Sequence, residues 1–175
     1  MAYPTTIQGD LSVNGQISGK TMAIPAGTID NTAVASGSAG AFIAASKLQH
    51  RIALHHTQND GTAVLSASQI VHICKGAATA AALYAVVNAA PTAAKTAIVN
   101  AFKSTAGSTF SSILSSAITF NSTGTTALTA KAGTLSVTSF AAGDLLKLSV
   151  VVSTSTGTQA QGINVTLLID EEPSV

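Results

Sequence analysis

The feature that most constrains this chain is a pair of alternating runs near its C-terminal end. In Asp144–Ser153, Leu146, Leu148, Val150 and Val152 fall on every second position, with Lys147, Ser149, Val151 and Ser153 between or after them. In Gly162–Asp170, Ile163, Val165, Leu167 and Ile169 do the same, against Asn164, Thr166 and Asp170. Successive side chains of a strand point to opposite faces, so each run gives a strand with one apolar face. Burying four such side chains stabilises by about 6–12 kcal/mol per strand before chain entropy is set against it. The segment between them, Thr154–Gln161, is made of Ser, Thr, Gly, Gln and Ala, and its composition predicts a hairpin joining the two strands. The rest of the chain has to supply surfaces that pack on these two.

Upstream, short runs of similar character are separated by Gly, Asn, Ser and Thr. Ile52–Thr57 reads as a strand that Asn59-Asp60-Gly61 turns, and Ala63–Leu65 as a short extension. Gln69–Lys75 is apolar on both faces and reads as a central strand. Ala77–Asn88 mixes helix-favouring Ala with strand-favouring Tyr84, Val86 and Val87; its neighbours make it a strand. Thr96–Lys103, Ile113–Phe120, Ala127–Lys131 and Leu135–Val137 follow, the first of these separated from the second by a loop over Thr105–Ser112. About eight strands at this spacing point to an all-β fold, an antiparallel β-sandwich of jelly-roll-like type, rather than to βαβ units.

Residues 1–46 have a different character and are expected to form an extended arm carrying a small hairpin, with the sandwich occupying 47–175. Ile7, Leu11, Val13 and Ile17 are single apolar residues spaced among Gly9, Gly15 and Gly19, and Asn14-Gly15 is a tight-turn signal. A lone hairpin cannot bury its apolar face, so these four residues are candidates for contact with a partner. Ile24-Pro25 is extended, and Asn31–Gly40 has the small, polar composition of a linker. At the junction, Lys47, His50 and Arg51 form the densest basic knot of the chain, a second candidate contact toward an acidic surface.

Charge narrows the function. Only 9% of residues are charged, the net charge is +1, and 46% are hydrophobic. An ordinary soluble domain carries roughly 25% charged residues. So few charges protect a monomer poorly from association, which implies that much of the surface is covered by other copies or by a partner. Nucleic-acid binding normally needs a basic patch, and none is evident. The uncharged stretch Gly76–Ala94 contains Asn88 and Pro91 and falls short of the about 20 strongly apolar residues of a membrane span. Met1–Thr6 lacks the basic start and apolar core of a secretory leader, which predicts folding in a cytoplasm.

Candidate chemistry is sparse. Of the four histidines, His55 and His56 fall on opposite faces of one strand, so they cannot chelate one ion together. His72 shares a face with Cys74, the only cysteine; positions two apart on a strand lie about 7 Å apart, too far for the hydrogen bond that activates a thiol. Only ligands from another strand or subunit would complete a metal set, so the histidines read as satisfied or interfacial, and no metal, cofactor or catalytic residue is assigned. Asp60 and Asp144 adjoin glycines in turns, where Asp bonds the local backbone. Asp170-Glu171-Glu172 reads as a solvated tail, or as a complement to Lys47 and Arg51 of another copy.

The run Ala-Ser-Lys47-Leu-Gln-His50-Arg51, with Gln58–Val64 and Ile70–Gly76 after it, resembles a known group of proteins, as does Phe140–Leu146 with Gly157–Glu171. Both resemble the small β-sandwich decoration (cement, head-stabilising) proteins of tailed-bacteriophage heads, over roughly Lys47–Glu172. The resemblance implies a non-enzymatic virion protein made in the host cytoplasm. It would bind the capsid exterior as a homotrimer and clamp adjacent copies of the major capsid protein. The segment Gly9–Gly15 also resembles the entry segments of phage fibres, so a tail-fibre or receptor-binding head is the alternative; a carbohydrate-active enzyme ranks last.

Overall fold

The computed structural model describes residues 50–105 and 108–172. The arm and hairpin expected over residues 1–46 lie outside them. The strand segments are β1 (His50–Ala63), β2 (Ala67–Ile73), β3 (Ala78–Ala89), β4 (Ala97–Ser104), β5 (Ser111–Ser112), β6 (Ile118–Phe120), β7 (Lys131–Gly133), β8 (Ser139–Phe140), β9 (Leu145–Val152) and β10 (Gln161–Glu171). The described residues contain no helix.

They form two antiparallel five-stranded sheets. The first has the order β1-β10-β3-β7, with β8 also on β3; the second has the order β2-β9-β4-β5, with β6 also on β4. Because β5 and β6 share one place, and β7 and β8 another, the ten segments fill eight places. Along the chain β1, β2, β3 and β4 alternate between the sheets, and β9 and β10 do so again. This winding is that of a jelly roll, the sandwich that the strand spacing predicts.

The two C-terminal runs are strands, but they are not a hairpin. β9 pairs with β2 and β4 at the centre of the second sheet, and β10 pairs with β1 and β3 in the first. The connecting loop crosses from one sheet to the other. It is held at the rim by Ser153 N–H to Thr96 O (3.0 Å), Thr158 N–H to Thr92 Oγ1 (2.8 Å) and Val64 N–H to Ala160 O (2.8 Å). The physical reason is plain: paired side by side in one sheet, two one-sided strands would still need a cover, whereas in opposite layers each covers the other. Leu146, Leu148 and Val150 of β9 and Ile163, Val165, Leu167 and Ile169 of β10 are all essentially inaccessible, together with Leu83, Val87, Val99, Ile113 and Phe120.

Other expectations need correction. Gln69–Lys75 does not run through the middle of a sheet; β2 is an edge strand, and Ile70 and Ile73 are 50% and 48% exposed. A bulge between Ile70 and His72 breaks its alternation, so an apolar sequence on both sides does not mean burial on both sides. Asn59-Asp60-Gly61 does not end β1 but forms an irregularity between Gln58 and Ala63, opposite Gly162, with Gly61 at φ 74°. Gly162 has φ +50°, and a Cβ there would lie 2.7 Å from Asp60 Oδ1 and 3.0 Å from Asp60 Cα. Ala127-Leu128 turns rather than extends, Leu128 taking φ 58°. Of Ile113–Phe120 only Ile118–Phe120 is strand, although Ile113 and Leu114 are buried too. The loop expected over Thr105–Ser112 contains β5.

The Ala-rich segment is strand, as read. In β3 the core side carries Ala78, Ala80, Leu83, Ala85 and Val87, so tertiary placement outweighs the helix preference of Ala. Truncating Leu167→Ala in the middle of the core should lower the unfolding free energy by about 2–5 kcal/mol, and Thr57→Ala on the outer side of β1 should change it by less than about 0.5 kcal/mol, both measured by urea titration.

Candidate functional site

Of the residues expected to meet a partner, Ile7, Leu11, Val13, Ile17 and Lys47 lie outside the described residues. His50 and Arg51 open β1 and are exposed. The antiparallel register sets Arg51 opposite Asp170, and its guanidinium grips that carboxylate through two hydrogen bonds, Nε–Oδ1 at 2.8 Å and Nη2–Oδ2 at 2.9 Å. The Arg51 hydrogen bond holds the Asp170 carboxyl below its ordinary value. Part of the acidic run is therefore paired within the chain.

The next acidic residue is not a solvated tail either. Core-facing positions on β10 run Ile163, Val165, Leu167, Ile169, and the same alternation carries Glu171 inward, where it is 5% exposed. Its Oε2 accepts from His72 Nε2 at 2.8 Å, and its Oε1 accepts from the backbone N–H of Lys75 and of Gly76, the latter at 3.1 Å. Burial by itself raises the Glu171 carboxyl, but the Gly76 and Lys75 amides and the His72 ring outweigh it and hold it below its ordinary 4.5.

Two further groups enter the same end of the sandwich by the same rule. Lys103 follows Ala97, Val99 and Ala101 on the inner side of β4, and Asp144 stands one step before Leu146 and Leu148 on that of β9. Lys103 Nζ lies 2.8 Å from Asp144 Oδ2, which also accepts from Ala141 N–H at 2.9 Å. Burial raises the Asp144 carboxyl, and the Lys103 and Ala141 bonds more than reverse it, for a net depression. Asp144 thus does bond the local backbone, and it also forms an ion pair that the turn motif did not reveal.

Cys74 sits between these pairs. Its N–H donates to Asp144 O at 2.9 Å and its carbonyl accepts from Gly143 N–H at 2.8 Å, which fixes the residue just past the end of β2. A ring nitrogen of His72, the Cys74 sulfur and a Glu171 oxygen lie within 4.8 Å of one another, closer than strand spacing alone allows. Burial first, then the charges of Glu171 and Asp144, push the Cys74 thiol up to about 11. A nucleophilic cysteine needs the opposite surroundings. The sequence groups His72 with Cys74 but gives neither their closeness nor the third member, because Glu171 comes from a strand far away in the chain.

The other histidines divide as expected. His55 faces outward, 3.0 Å from Thr166 Oγ1, and His56 faces inward with Nδ1 3.4 Å from Gln69 Oε1. A cleft of about 230 Å³ beside Lys103, Ser112 and Val137 is smaller than the roughly 300–1,000 Å³ of small-molecule sites.

The outer faces of the two sheets differ. That of the first carries Arg51, His55, Thr57, Asn164, Thr166 and Asp170, together with Tyr84 (43% exposed), Val86 and Leu168. On the second, the register sets Ile98 beside Val151 and Ile70 beside Lys147. Ile70, Ile73 and Val151 are about half-exposed (50%, 48% and 53%), and Ile98 is 37% exposed. The cation on this face, Lys147, is wrapped by aromatic rings, its Nζ 4.1 Å from the centre of Phe110 and 4.8 Å from that of Phe102. Aromatic faces attract such an ammonium and screen it. A row of Ser68, Ser149 and Asn100 separates this end of the face from Ile98 and Val151.

Comparison with protein-family models, with curated proteins and with solved structures returned no match.

The Glu171 environment has a pH signature. Its folded carboxyl binds a proton less tightly than the unfolded one, so it stabilises the fold above its ordinary 4.5 and loses that contribution as pH falls through the depressed folded value. Glu171→Gln should lower stability at pH 7 by about 1–3 kcal/mol, and the variant's stability should fall less steeply than the parent's below pH ~4.5, as followed by urea titration across pH.

Proposed function

We propose that this chain is a structural virion protein of the capsid-decoration kind, which assembles as a homotrimer on the outside of a phage head and ties neighbouring copies of the major capsid protein together. The observation that carries the reading is the outer face of the second sheet. Ile70 and Ile73 are solvent-facing there near a ring-covered lysine, and Ile98 and Val151 form a second exposed apolar pair beyond a polar row of Ser68, Ser149 and Asn100. Exposed apolar side chains set among polar ones mark an association site. With 9% charged residues in the whole chain, the protein has little else to keep copies apart.

In this reading the apolar face is where copies of the chain meet. The N-terminal segment with Ile7, Leu11, Val13 and Ile17, and the basic residues Lys47, His50 and Arg51, reach the capsid. A protein that binds only the intact shell stabilises it by mass action. A trimer that presents its grip three times adds avidity to contacts that are individually weak. The resemblance over Lys47–Glu172 supports the same reading, as does the jelly roll, which many virus proteins use, though a fold alone assigns no function.

The test is a surface variant, Ile98→Lys with Val151→Lys. Both side chains lie on the outer face, so the fold should survive, with thermal unfolding lowered somewhat by two like charges set opposite each other. Self-association measured by sedimentation should weaken by about 100-fold, and binding to expanded capsids in a pull-down should fall with it. Unchanged association would remove the face from the proposal. Binding of the parent protein to host cells but not to capsids would favour the receptor-binding alternative.

A further inference from the structure

We propose that His72, Cys74 and Glu171 form a binding site for a zinc-like divalent cation, at the end of the sandwich where the two sheets' buried polar groups converge. Nothing in the decoration reading calls for it; it rests on the geometry of these three residues alone. One donor atom from each lies within 4.8 Å of the others. Imidazole nitrogen, thiolate sulfur and carboxylate oxygen are the three ligand types that zinc accepts, at about 2.0–2.3 Å, so a shared ion needs only a modest contraction of the set. His72 Nε2 and Glu171 Oε2, now 2.8 Å apart in a hydrogen bond, need to open by only about 0.5 Å to reach the spacing of two ligands on a tetrahedral ion.

The site is built rather than incidental. Glu171 is held by two backbone amides through its other oxygen, the role that outer hydrogen bonds play for ligating carboxylates. Cys74 is clamped on both sides of its backbone by Gly143 and Asp144. Lys103 is already engaged by Asp144 at 2.8 Å, which leaves the Glu171 carboxylate to His72 and two backbone amides. The ion takes the Nε2 lone pair of His72, whose proton moves to Nδ1 through solvent. It also displaces the Cys74 proton, which leaves to solvent. Its two positive charges then match one thiolate and one carboxylate. Three protein ligands leave a fourth position for water, and the His72 side chain keeps 18% of its surface open, which gives the ion access beside the free edge of β2.

The test uses the tag-free, full-length protein, treated with chelator and titrated with Co²⁺, which reports a bound thiolate by a charge-transfer band in the near ultraviolet. One equivalent should bind with that band and with the visible absorption of a tetrahedral ion, and Zn²⁺ should displace it and raise the melting temperature by several degrees. Cys74→Ser should abolish the band, and His72→Gln should weaken binding by about 10–100-fold or more. Absence of a thiolate band in the parent protein, with a melting temperature indifferent to Zn²⁺, would overturn the proposal and leave the cluster a hydrogen-bond network only. Because the parent protein gives the decisive reading, misfolding of a variant does not blur it.

Discussion

The structure depends on one contact, the apolar side of β9 laid against the apolar side of β10 across the sandwich. Each strand sits between two others of its own sheet, so the two runs read from the sequence are the middle of the two layers. Leu146, Leu148 and Val150 on one side and Ile163, Val165, Leu167 and Ile169 on the other exclude water from the centre. Everything else follows from the need to complete these two layers. β1 and β3 flank β10, β2 and β4 flank β9, and the split strands β5 to β8 finish the far edges.

The same alternation that buries the core determines where the polar groups go. A strand cannot change faces without a bulge, so a run that extends one step too far delivers whatever residue comes next to the interior. Glu171, Lys103 and Asp144 arrive in this way, each one step beyond an apolar series. Buried charges are costly unless paired and hydrogen-bonded, and here they are: Asp144 by Lys103, Glu171 by His72 and two amides. Cys74 lies among them, and the result is a rigid polar plug at one end of a greasy sandwich, with the ligand types of a metal site. At the outer face of the second sheet the balance is reversed. There apolar side chains face solvent and the nearby cation is covered by Phe102 and Phe110.

The fold was largely legible because period-two patterning survives in single strands. The C-terminal runs carry that signal, whereas the Ala-rich β3 reads as strand from its neighbours, and the expected eight or so strands are ten segments. What was not legible depends on pairing. Whether two one-sided strands lie side by side or face to face leaves the same local pattern, and the hairpin expectation for Thr154–Gln161 failed on that point. The bulge in β2 converted an apolar run into an exposed edge, and the Asn-Asp-Gly turn signal became an irregularity opposite Gly162. The Arg51–Asp170 pair and the His72–Glu171 pair join residues more than 90 positions apart, so no local motif announces them. Parity did hold the clue to Glu171: it is the next odd position after Ile163, Val165, Leu167 and Ile169, and reading it as tail rested on its acidic neighbours.

The proposed role, holding copies together, rests on exposed apolar side chains of the second sheet and on a low charge density. The most direct measurement is the native mass of the full-length protein at micromolar concentration. A particle of three times the 17.3 kDa chain is the result this account predicts, and a monomer at every concentration tested would contradict it.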